Sequence, residues 1–174
     1  MRSSTETEYA LGEARSTPTL HSLPRRPDQK ETVMSKTELD DAIHAQIEQL
    51  SQEGDRLFDD EREREALAKY FAALELLPAP TYDWEAATWL YATIGDVLWT
   101  MCELDDAYGA FQAALRSPGG IGNPFVHLRV GQIAFEKGDL PRARDELMRA
   151  YMGAGAKIFE REHAKYFDVI RDAI

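Results

Sequence analysis

Few residues in this chain have the types and spacing that chemistry requires. Glu160 and His163 stand three apart, a spacing at which two side chains of one helix can reach the same metal ion, but no third ligand accompanies them. His127 shares an apolar stripe with Val130 and Ala134, where a core histidine held by a hydrogen bond is the expected role rather than an acid or base. His21 and His44 have no evident partners. Cys102, the one cysteine, has no histidine near it in sequence to activate its thiol, and Met101 and Leu104 beside it read it as core. The pairs Asp40-Asp41, Asp59-Asp60 and Asp105-Asp106 lack the ligand spacing and central glycine of a calcium loop and read as helix-start or solvated charges. Gly119 to Gly122 has no Lys-Ser/Thr after it and so is a linker rather than a phosphate loop. No active site, metal or cofactor is expected from these residues, and the chemistry that remains is that of binding.

The elements that would position a binding surface are helices. Apolar periodicity predicts them over about 37–58, 62–77, 83–101, 104–116, 124–136 and 140–152, with one or two closing helices carrying Phe159, Phe167, Val169, Ile170 and Ile174. Thr37-Glu38-Leu39-Asp40 resembles a capping box, Asn123-Pro124 is a helix start, Gly138-Asp139 makes a turn and cap, and Gly153 and Gly155 break the sixth helix. One pattern recurs three times. Gly54, Leu57, Ala66, Tyr70, Ala73 and Pro78 form the first copy, Gly95, Leu98, Ala107, Phe111 and Ala114 the second, and Gly131, Ala134, Ala143, Leu147 and Ala150 the third. The step from the glycine to the first ladder alanine is 12 residues in each copy, room for a helix end, a tight turn and the start of a partner helix. The alanines of each second helix lie seven apart, so neighbouring helices can approach closely while Tyr70, Phe111 and Leu147 fill the gaps. The predicted helix over 83–101 is apolar around most of its circumference and needs cover on more than one side, as a middle layer of a stacked array does.

With 174 residues the chain is long enough for about one domain, expected over residues 34–174. Residues 1–33 are rich in Ser, Thr, Arg, Pro and Glu without apolar period, and read as a disordered tail or as an extension upstream of a start at Met34. The 31 acidic and 20 basic residues leave a formal charge of −11, which argues against nucleic acid, whose phosphates need cations, and favours a basic partner. No apolar run reaches the roughly 20 residues of a membrane span. The N-terminus lacks the apolar centre of a secretion signal, and a lone cysteine suits a reducing compartment, so a cytoplasmic location is expected.

The spacing of small, large and alanine positions resembles the tetratricopeptide repeat family. The match is carried by Gly54 through Pro78, by Gly95-Asp96 with Ala107, Phe111 and Ala114, and by Gly138-Asp139-Leu140 with Ala143. The resemblance implies an all-α solenoid of helical hairpins, with repeats over about 44–78, 83–118 and 124–155 and a C-terminal cap over 156–174. Its departures are a longer spacing, 41 and 36 residues between the repeat glycines, Leu147 in place of an aromatic residue, and His127 where the family often has a large aromatic. The family's binding surface is the concave face lined by the first helix of each pair. Carried onto this chain, that face reads Glu48, Ser51, Asp55 and Phe58, then Trp89, Ala92, Asp96 and Trp99, then Phe125, Leu128, Gln132 and Phe135. Acids alternate with aromatic rings, which suits a protein or peptide partner with cations and apolar anchors. The expected contact residues are Glu48, Asp55, Phe58, Trp89, Asp96, Trp99, Phe125, Gln132 and Phe135. The Lys, Asn and Arg with which some members clamp a terminal carboxylate are absent from this stripe. The runs Trp89 to Asp96 and Pro118 to Pro124 are also similar to small bacterial repeat proteins that neutralise secreted toxins, which implies an immunity protein; a general adaptor or assembly chaperone is the alternative.

Overall fold

A computed structural model describes residues 39–174; what is expected of residues 1–33 and of His21 lies outside the described residues. The first helix begins at Asp41 rather than near Thr37, because Asp40, read as part of a capping box inside the helix start, is itself the cap residue. The described residues form an all-α helical repeat solenoid without strands. Its seven helices are α1 (Asp41–Asp59), α2 (Glu63–Glu75), α3 (Glu85–Thr100), α4 (Leu104–Arg116), α5 (Pro124–Glu136), α6 (Leu140–Ala154) and the short α7 (Ala164–Asp168). They pair as three hairpins, α1 with α2, α3 with α4 and α5 with α6, and successive hairpins stack through α2 on α3 and α4 on α5. None of the described helices is long and apolar enough to cross a membrane.

Local sequence accounts for the ends of these helices. Asp40 caps α1 by accepting from the Ala42 N–H, Asn123 caps α5 by accepting from the Phe125 and Val126 N–H groups, and Asp139 caps α6 by accepting from the Arg142 N–H. The first helix of every hairpin ends in the same way. The N–H of Glu61, Cys102 or Gly138 donates three residues back, to Phe58, Trp99 or Phe135, and the following N–H donates five back, to Leu57, Leu98 or Ala134. That is the Schellman pattern, which needs a left-handed residue at the turn. The three φ values there are +59°, +61° and +80°.

This turn corrects the reading of Cys102. It is exposed, because it is the left-handed turn residue of the second hairpin and occupies the place Gly138 holds in the third. Gly153 does not break α6, which runs on to Ala154 and stops at Gly155 with φ +68°. Gly153 instead lies against Pro124, where a Cβ would come within 2.6 Å of the proline Cγ.

The six ladder alanines, Ala66, Ala73, Ala107, Ala114, Ala143 and Ala150, are completely buried. So are Phe111 and Leu147, with Tyr70 nearly so. Each packs directly on a glycine of the preceding helix: a Cβ on Gly54, Gly95 or Gly131 would lie 2.7, 2.9 or 2.7 Å from Tyr70, Phe111 or Leu147. The repeated glycine and the large residue sixteen positions later are thus one contact, made three times. The last layer is closed by residues 155–174 rather than by a further full hairpin. There Phe159, Tyr166 and Ile170 bury against Leu128, Ala134, Leu147 and Ala150.

Candidate partner-binding groove

The inner surface is built by α1, α3 and α5, and five of the nine expected contact residues meet there. Asp55 and Phe58 from α1, Trp89 and Asp96 from α3 and Phe125 from the first turn of α5 line one hollow of about 380 Å3, with Thr93, Ala92 and the Tyr70 ring at its wall. Trp89 is 41% exposed, a large share for an indole in a packed fold. Each acid is oriented by a partner. The buried Tyr70 hydroxyl donates to Asp55 Oδ1 at 2.7 Å, and burial followed by that bond pushes the phenol above its ordinary pKa. Asp96 Oδ1 accepts from Arg129 Nε at 2.6 Å.

Arg129 was not among the expected contact residues. Its Nη1 also donates to Gln132 Oε1 at 2.8 Å and to Glu162 Oε1 at 3.0 Å, and its guanidinium lies 5.1 Å from the Phe125 ring centre and 5.9 Å from that of Trp99. One cation therefore joins the second hairpin, the third hairpin and the closing segment.

The remaining four expected residues lie elsewhere. Gln132 is fully buried and donates to Glu162 Oε2 at 2.7 Å, so the closing segment covers it. Phe135 packs edge-to-face on Tyr166 with ring centres 5.5 Å apart, beneath the Lys165 ammonium. Trp99 is half-buried under Arg129. Glu48 sits on an exposed part of α1, 3.8 Å from His44, which does have a neighbour after all. The open surface thus lies towards the first two hairpins, and the third is occupied by the chain itself. The closing cap expected over 156–174 is present, but sequence spacing carried no signal that its Glu162 would reach Arg129 and Gln132 and so take up the third hairpin's share of the stripe.

The other candidate groups have structural placements. His127 is buried between α5 and α6: a carbonyl oxygen can only accept, so Nε2–H donates to Ile121 O at 2.7 Å, while Nδ1 is hydrogen-bonded to Glu146 Oε2 at 2.6 Å. The histidine ties the loop between the second and third hairpins to the core. His163 caps α7 by accepting from the Lys165 N–H. At the same end, the Lys165 ammonium and then the Tyr166 hydroxyl hold Glu136 below the usual carboxylate range.

Several solved structures share this architecture. The Yersinia enterocolitica type III secretion translocator chaperone SycD matches with a TM-score of 0.60 at 17% identity, over 78% of this chain and 86% of that one. The same chaperone in complex with a peptide of the translocator YopD gives 0.58 at 17% identity, over 72% of this chain and 90% of that one. The first TPR of Spaghetti (RPAP3), bound to the HSP90 peptide SRMEEVD, gives 0.56 at 15% identity, over 74% and 90%. No family model and no curated protein matches the sequence. At these identities the likeness is one of fold: the chain is similar to tetratricopeptide-type helical repeat proteins, two of these structures being solved with a peptide bound.

Proposed function

We propose that this protein is a binding module that takes a segment of another protein in the hollow between α1, α3 and the start of α5. The observation that carries the reading is the meeting of Trp89, Phe58 and Phe125 with Asp55 and Asp96 around one open space. Water-exposed rings supply affinity when covered, and carboxylates at the rim attract and orient cations. The chain's charge of −11 points the same way, towards a basic partner. In this reading the role is binding: the Tyr70 hydroxyl and the Arg129 guanidinium beside the hollow orient its two acids.

A displayed library of 15-residue peptides, selected on the full chain and measured by calorimetry, tests this. Selected segments should compete for one site and weaken at least tenfold on Trp89→Ala and on Asp96→Lys. Binding indifferent to both changes would remove the hollow as the site. Affinity then separates the finer alternatives. A toxin-neutralising immunity protein should hold one basic partner at about nanomolar Kd or tighter, whereas an adaptor or assembly chaperone binds several segments more weakly.

A further inference from the structure

The three copies are equivalent position by position when aligned on Gly54, Gly95 and Gly131, and the alignment shows one cation site filled and its neighbour vacant. At the boundary of the second and third hairpins, Asp96 and Trp99 from α3 and Phe125 from α5 surround the guanidinium of Arg129. At the boundary of the first and second hairpins the equivalent positions are Asp55 and Phe58 from α1 and Trp89 from α3. The acid and both rings are therefore repeated. The position equivalent to Arg129 is Thr93, whose short side chain lines the hollow instead of filling it. At the third boundary the chain again supplies the cation, with Lys165 over Phe135, the equivalent of Phe58 and Trp99. Among the described residues no cation lies over Phe58 or Trp89.

We propose that the vacant place is a receptor for one arginine side chain of the partner, held as Arg129 is held next door: the guanidinium against the Asp55 carboxylate and over the ring faces of Trp89 and Phe58. Arginine fits better than lysine because its flat guanidinium can stack on a ring while its edge donates to a carboxylate, which a compact ammonium does less well. Tyr70 is a positioning residue for this site. It alone of Tyr70, Phe111 and Leu147 has a hydroxyl, and that hydroxyl fixes Asp55 through Oδ1 while leaving Oδ2 for the ligand. In the filled site no such help is needed, since Arg129 itself holds Asp96. Asp59, close enough to act on the Tyr70 phenol, adds to the negative field there.

The inference rests on the binding reading above and is tested by two measurements that fail separately. The first needs no partner. Thr93→Arg supplies the missing cation in cis, and should raise the thermal midpoint in the parent background but not with Asp55→Asn. No rise in either background, or an equal rise in both, would overturn the proposal. The second uses the peptides selected on the full chain. Those that depend on Trp89 should contain an arginine whose replacement by citrulline, equal in shape but uncharged, weakens binding at least tenfold. Thr93→Arg should block them, and Tyr70→Phe should weaken them severalfold with the fold intact by circular dichroism. Peptides that need Trp89 yet tolerate citrulline overturn the arginine site while leaving the binding module standing. If no peptide depends on Trp89, the module reading falls and the arginine site falls with it.

Discussion

Replacing Gly95 by alanine adds one carbon at the point where α3 touches α4. That Cβ would lie 2.9 Å from both Cε2 and Cζ of Phe111 and 3.0 Å from its Cδ2, closer than such atoms approach in folded proteins. The ring has little freedom to move, since Phe111 is completely buried and stands edge-to-face with Phe125 at 6.3 Å. Two effects oppose each other. Alanine is the better helix former by about 1 kcal/mol, whereas overfilling a packed core costs about 1–3 kcal/mol. With a rigid ring and a fully closed site the upper part of that range applies, leaving a net loss of about 1–2 kcal/mol. At roughly 2–4 °C per kcal/mol for a chain of this size, the melting midpoint should fall by about 2–8 °C. Gly109→Ala is the control. It is an exposed helical glycine on α4 with nothing within 4 Å of its missing Cβ, so only the propensity gain applies and the midpoint should rise by about 2–4 °C. Thermal melts followed by circular dichroism compare the two. If Gly95→Ala melts at or above the parent, the close approach of helices through the glycine contact is not what holds the hairpins at their spacing.

Cys102→Gly should stabilise the fold by about 0.5–1 kcal/mol, because glycine takes the left-handed turn conformation without strain, and the native thiol should react at once with a water-soluble disulfide reagent. His127→Ala should cost about 3–5 kcal/mol in denaturant unfolding, since it strands the buried Glu146 carboxylate and frees the Ile121 carbonyl. Glu136 has a folded pKa below its ordinary 4.5, so its contribution to stability is fully present above that value and is lost as pH falls through the lower folded one. The protection of residues 155–174 against hydrogen exchange, taken relative to the intrinsic amide rate at each pH, should therefore fall on acidification in that range, and Glu136→Gln should already show the lower protection at neutral pH.

The helical frame was legible because its signals are local or periodic. The starts of α5 and α6 follow directly from Asn123-Pro124 and Gly138-Asp139, and the alanine ladder exposed the pairing of helices through its spacing alone. Cys102 was misread because apolar neighbours argue for burial, whereas the turn demands one residue of positive φ whatever its type. The groove was harder to read. A stripe along three helices can be listed from helical period, but which part stays open depends on where the chain's end folds. The polar bonds of Glu162 to Arg129 and Gln132 join residues 33 and 30 apart, with no shared pattern.

Arg129 marks the limit of that reading and also the way past it. Taken along α5 alone, it is one more charged residue between apolar ones, and neither period nor composition says that it turns inward. Its column in the repeat, Gln52, Thr93 and Arg129, does carry information, because the columns beside it hold an acid twice and an aromatic ring in every copy. A repeat protein reuses the same geometry at each boundary, so a side chain seen to fill a place at one boundary defines the chemistry of the corresponding place at another. The cation that the chain supplies for Asp96 is thus evidence about what Asp55 lacks. Function in such an array is to be sought where one copy departs from the others at a position that the others use to satisfy themselves.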